Sequence, residues 1–124
     1  MMRRRCLIIV MALAFGMTLL APSAWATCEQ QDLEGIWNVE VWGGALPGGQ
    51  CWDKCTLTIS SGGNIQQAGT YIDCLGVSSQ ITGGYLTISS NCFIEGEIHT
   101  TNGTLYISSG AMTGQDSLCL GTEQ

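Results

Sequence analysis

Positive charge is what this 124-residue chain has least of. It carries four Lys and Arg against ten Asp and Glu, with a single His. Arg3, Arg4 and Arg5 sit together at the N-terminus, so beyond residue 26 Lys54 is the only cation. Nucleic-acid binding runs on Lys and Arg contacts to phosphate, and attraction to an anionic membrane surface needs the same residues. Both functions are excluded. One histidine, His99, leaves no set of imidazoles for a metal centre. No stretch beyond residue 26 has the 3.6-residue apolar period of a helix, which excludes a helical bundle. Long apolar runs are also missing there.

The one long apolar run lies at the start. Arg3–Arg5 precede it, it extends from Cys6 to Leu20, and Ala24-Trp25-Ala26 ends the segment with small residues one and three places before a cut. At roughly fifteen residues it is short of the roughly twenty that a membrane span needs. Residues 1–26 therefore read as a secretory signal peptide, and 27–124 as a single mature domain. The expected location is periplasmic or extracellular, with no membrane attachment after cleavage. The mature chain would carry one Lys against ten acids, a formal charge of −9. Such a charge keeps an exported domain soluble and is compatible with a basic partner or a divalent cation.

Removing the signal takes Cys6 with it and leaves Cys28, Cys51, Cys55, Cys74, Cys92 and Cys119. An even number in a small exported chain predicts three disulfides, with fifteen pairings open. A Cys28–Cys119 bond joining the ends is one of them. Cys51-x-x-x-Cys55 lacks the two-residue spacing of a zinc knuckle, so no metal and no cofactor are expected.

What the chain does have is period-two alternation. Trp37, Val39 and Val41 alternate with polar or outward residues, as do Leu57/Ile59, Leu86/Ile88, Ile94/Ile98 and Leu105/Ile107. Gly-rich punctuation separates these runs: Gly43-Gly44, Gly62-Gly63, Gly83-Gly84 and Asn102-Gly103, the last a tight-hairpin signal. Leu57-Thr-Ile-Ser-Ser, Leu86-Thr-Ile-Ser-Ser and Leu105-Tyr-Ile-Ser-Ser are near copies, which fits successive hairpins of one meander. The alternation predicts eight strands, over 33–42, 55–60, 64–72, 76–82, 84–90, 92–100, 103–108 and 112–120. The expected fold is all-β: a small, disulfide-stapled, antiparallel up-and-down barrel, which leaves no exposed edge, with a two-sheet sandwich as the alternative. The expected interior is Trp37, Val39, Val41, Leu57, Ile59, Ile65, Tyr71, Leu86, Ile88, Ile94, Ile98, Leu105, Ile107, Leu118 and Leu120. Gln67 and Asp116 are the expected inward polar residues.

Gly35-Ile36-Trp37 at the start of the first strand resembles the Gly-x-Trp opening of lipocalin-like and avidin-like (calycin) barrels. Gly69-Thr70-Tyr71 is similar to the avidin-like branch. The resemblance implies a barrel across 33–120. The Arg that lipocalins pack on that Trp has no counterpart in the mature chain, and the Trp-rich biotin-binding set of avidins has none either.

Catalysis finds little to work with. His99 lies outward between Ile98 and Thr100, no Gly-x-Ser-x-Gly elbow occurs, and Glu95 and Glu97 share an outer face without two contrasting environments. No catalytic residue is assigned. The segment 43–54 has no alternation and reads as a loop over the barrel mouth, braced by Cys51 and Cys55. Loops on rigid scaffolds carry function, and Trp anchors interfaces. Leu46, Trp52, Asp53 and Lys54 are the expected binding residues. The expected function is an exported, non-catalytic binding or structural module, with an unknown protein as partner. Two alternatives stand beside it: a protease inhibitor that presents Lys54 in the Cys51–Cys55 loop, and a carrier of a small apolar ligand.

Overall fold

Alternation decides the architecture, because each apolar run can bury only one face of a strand. In a computed structural model that describes residues 27–43 and 51–122, seven strands follow a single 3-10 turn at Gln30–Leu33. They are β1 (Gly35–Trp42), β2 (Trp52–Ile59), β3 (Thr70–Ile72), β4 (Ser78–Ile88), β5 (Ile94–Thr100), β6 (Gly103–Met112) and β7 (Ser117–Thr122). Consecutive strands pair antiparallel and the sheet closes into a barrel. The expected signal segment and Leu46 lie outside the described residues.

Seven strands rather than eight have a topological consequence. In an up-and-down meander the first and seventh strands point the same way, so closure must be parallel. β1 and β7 do pair parallel, from Asn38↔Ser117 to Trp42↔Gly121. The missing strand boundary is Gly83-Gly84, expected as a turn. Both glycines instead lie inside β4, with φ of +150° and +122°, beside a register slip between Ile81 and Gly83. β5 runs so close that a Cβ on Gly84 would strike the Glu97 carbonyl. Glycine here lets one long strand bend around the wall instead of ending. The expected strand over 64–72 shrinks to Thr70–Ile72, because Gln66–Ala68 form a turn closed by the Ala68 amide on the Gln66 carbonyl.

The core is a single apolar cluster inside the barrel. Of the expected inward residues, Leu105 packs at its margin and the others are buried. Gln67 and Asp116 are both exposed, against expectation, because each falls in a turn and not on a strand. Leu33, Cys55, Ile81, Asp53 and Ser79 are buried additions. Leu33 comes from the 3-10 turn, too short to show any period. It plugs the lower mouth, and its carbonyl accepts the Trp37 indole N–H at 2.7 Å. The Gln30 side chain secures the same turn, donating to the Leu86 carbonyl and accepting from the Ile88 amide.

Two disulfides join described residues to each other: Cys28–Cys92, at this lower mouth, and Cys51–Cys74, at the upper one. Cys28 is therefore not tied to Cys119. Cys55 is a buried free thiol, which corrects the expectation that it is bridged, whereas Cys119 is not free. Cys55 lies on β2 opposite Tyr71, facing inward among the apolar side chains. Intramolecular disulfides belong to an oxidising, exported compartment. Among the described residues no helix is long and apolar enough to cross a membrane. The barrel is apolar inside, and its outer wall carries Lys54, Thr56, Thr87 and Glu95.

Candidate functional site

The expected loop 43–54 ends early. Trp52, Asp53 and Lys54 belong to β2, paired in register with β1 as Trp42↔Trp52, Val41↔Asp53 and Glu40↔Lys54. Alternation then sends them to opposite faces. Asp53 points into the barrel and is 7% exposed, whereas Trp52 and Lys54 lie on the outer wall. Three residues adjacent in sequence therefore do not form one surface.

Asp53 is the polar centre of the upper mouth. Its Oδ2 accepts the Tyr71 hydroxyl at 2.6 Å and its Oδ1 accepts the Cys74 backbone N–H at 2.8 Å. Both oxygens of a buried carboxylate thus have donors, which offsets part of its desolvation. Burial, the hydrogen bond to Asp53 and the Asp53 charge all push the Tyr71 phenol up. Burial, with Asp53 second, pushes the Cys55 thiol up to about 12. Cys55 is therefore a protonated thiol at neutral pH and a poor nucleophile. Asp53 and the Cys51 and Cys74 sulfurs lie within 4.8 Å of one another. Both sulfurs are spent in the disulfide, so this cluster offers a cation one carboxylate and not a ligand set.

On the outer wall Trp42 and Trp52 pack with ring centroids 4.8 Å apart and planes tilted by 52°. That separation is within the range of favourable aromatic pairs. The Trp52 Nε1 is buried without an acceptor. This pair accounts for Trp52 structurally: it covers the end of the β1–β2 ladder.

Beside it lies a groove of about 370 Å³ on the outer wall. From β1 and β2 it takes Asn38, Glu40, Lys54 and Thr56. From β3 and the start of β7 it takes Thr70, Ile72, Asp116 and Ser117. Among the described residues, Lys54 is thus the one expected binding residue that the fold places in an open concavity. Its neighbours could not be read from the sequence. Thr70 and Ile72 reach it only through the Lys54↔Ile72 pairing, and Ser117 only through the parallel closure at Asn38. The outward parity of Glu40 and Thr56 was the sole sequence signal.

The fold and its staples define a small closed seven-stranded barrel of the disulfide-bonded, exported kind. No protein-family model, curated protein or solved structure matches the chain.

Proposed function

We propose that the chain is an exported, non-catalytic binding module of the periplasm or extracellular space, which takes a carboxylate-bearing ligand on its outer wall. The observation that carries this reading is the Lys54 groove, where the only Lys or Arg beyond residue 26 stands over an open cleft lined by hydroxyl, amide and aliphatic groups together with the Glu40 and Asp116 carboxylates, so that Lys54 is the one group there able to hold an anion. A concavity with a few convergent polar groups is the usual form of a small-ligand site. The interior offers no such place, since Leu57, Ile59, Leu86, Ile94, Ile98, Leu118 and Leu120 fill it and both Asp53 oxygens are engaged. That argues against a carrier of an apolar ligand. Seven strands with parallel closure also depart from the eight-stranded lipocalin plan. The inhibitor reading loses support for another reason. A protease cleft takes an extended segment through free backbone edges. Lys54 sits mid-strand with β1 on one side and β3 on the other.

N-acetylalanine serves as the carboxylate probe in an NMR titration of the isotope-labelled protein. Shifts at Lys54, Thr56 and Thr70 that vanish in Lys54→Gln are expected. Shifts that persist in that variant, or none at all, remove the groove as a site. Native mass spectrometry of protein from its host is expected to give a ligand-free mass. A retained apolar molecule would establish the carrier instead, and trypsin inhibition lost in Lys54→Ala would establish the inhibitor.

A further inference from the structure

Across the barrel from this groove, the outer face of β4–β5–β6 carries an aromatic row. Tyr85 pairs with Glu97 on β5, and Glu97 pairs with Tyr106 on β6. The three side chains therefore stand side by side on one face. Tyr85 is 44% and Tyr106 57% exposed, unlike the buried Leu86, Ile98 and Ile107 of the opposite face. Among the described residues neither phenol hydroxyl makes a hydrogen bond. Glu97 is held between them by His99, whose Nε2 lies 2.8 Å from Glu97 Oε2. His99 pairs in the adjacent row with Gly83, which has no side chain to cover it.

Neighbouring strands lie roughly 4.8 Å apart, so the backbones of Tyr85 and Tyr106 flank that of Glu97 at about that distance on each side. A cation seated over Glu97 would stand between two exposed tyrosines, and a tyrosine ring face attracts a cation within about 6 Å of its centre. It would meet the carboxylate at the same time. Glu95 adds a second negative charge on the same strand face, opposite Thr87. The described part of this wall has no Lys or Arg to compete, because Lys54 stands on β2. Charge and shape together select a positively charged group.

We infer that this face docks a basic peptide segment of a partner protein, with an Arg or Lys side chain seated over Glu97 between Tyr85 and Tyr106. His99 is a positioning residue that keeps the Glu97 carboxylate in the row.

The test titrates the isotope-labelled protein with acetyl-Gly-Arg-Gly-Arg-Gly-amide, with the same peptide bearing Gln in place of Arg, and with cellohexaose. Shifts from the Arg peptide are expected at Tyr85, Glu97 and Tyr106, with none from the Gln peptide. Tyr85→Thr and Tyr106→Thr keep a strand-forming residue and remove the ring. Each is expected to weaken binding about 2–5-fold. Glu97→Gln should act similarly, and the triple variant should lose at least roughly tenfold. Glu34→Gln removes an equal charge from outside the three-strand row, before β1, and should leave affinity unchanged. An unchanged melting temperature of each variant shows that the fold is intact. The inference is overturned if the Gln peptide binds equally well, if the triple variant binds like the parent, or if Glu34→Gln weakens binding as much as Glu97→Gln. Shifts in this row from cellohexaose but not from the Arg peptide would make it a sugar platform and overturn it too, as would no response to any probe.

Discussion

The two mouths of the barrel are closed by different means. The lower one is sealed by burial: Leu33 is fully buried from the 3-10 turn, the Trp37 indole and the Gln30 side chain bond that turn to the barrel, and Cys28–Cys92 ties the entering chain to the β4–β5 turn. The upper one is sealed by a polar network: Asp53, Tyr71 and the Cys74 amide, with Cys51–Cys74 beside them. An apolar plug gains from every contact and tolerates small shifts. A buried carboxylate depends on each donor being in place, because losing one leaves a charge without compensation. The lower mouth is therefore the stability anchor, and the upper one is sensitive to pH and to single polar changes.

The largest expected effect tests the anchor. Leu33→Ala should cost about 2–5 kcal/mol by denaturant unfolding. A cost under 1 kcal/mol would show that the turn is an ornament and not a plug. At the other mouth, Tyr71→Phe should cost about 1–3 kcal/mol, since Asp53 Oδ2 loses its donor. A neutral result would mean that water replaces the hydroxyl and that the mouth is open.

Alkaline titration bears on the upper half of the barrel, where Cys55 and Tyr71 face each other. The Cys55 thiol is held protonated in the fold up to about 12, while the unfolded chain releases that proton near 9. Between those values the unfolded state binds fewer protons, so stability falls as pH rises. The slope is about 1.4 kcal/mol per pH unit from this group. Tyr71, also pushed up, adds to the fall from about pH 10. Cys55→Ala should flatten the slope between pH 9 and 10, and an unaltered slope would assign the loss to another group. Cys55 should likewise resist thiol reagents until the barrel unfolds.

The smallest effect compares the staples. Cys28–Cys92 spans 64 residues and Cys51–Cys74 spans 23. By loop-closure entropy, the Ser pair at 28 and 92 should destabilise more than that at 51 and 74, by about 1 kcal/mol. The reverse order would show that the upper bond holds the Asp53 network as well as the chain.

Much of the barrel was legible in the sequence. Parity of Trp37, Val39 and Val41, and of Leu86 and Ile88, depends only on which face of a strand is wet, so it could be read directly. Leu33 could not, because a single 3-10 turn has no period. Gly83-Gly84 reads as a turn because a glycine pair has the same appearance in a turn and in a bulged strand; only the approach of the Glu97 carbonyl distinguishes them. The site was less legible. Trp52, Asp53 and Lys54 read as a loop in the sequence, whereas pairing with β1 extends the strand through them and splits them between wall and interior.

By itself the sequence determined an all-β, disulfide-bearing chain with an apolar inside and a cation-poor outside, because composition and alternation are local properties. The tertiary structure decided the rest. It set seven strands and a parallel seam, the pairing of Cys28 with Cys92 and the isolation of Cys55, the burial of Asp53 against Tyr71, and the meeting of Lys54 with Thr70 and of Glu97 with two tyrosines. Each of these depends on register between segments distant in the chain. Register is chosen by closing the whole barrel, where a slip of one residue would turn every buried side chain outward.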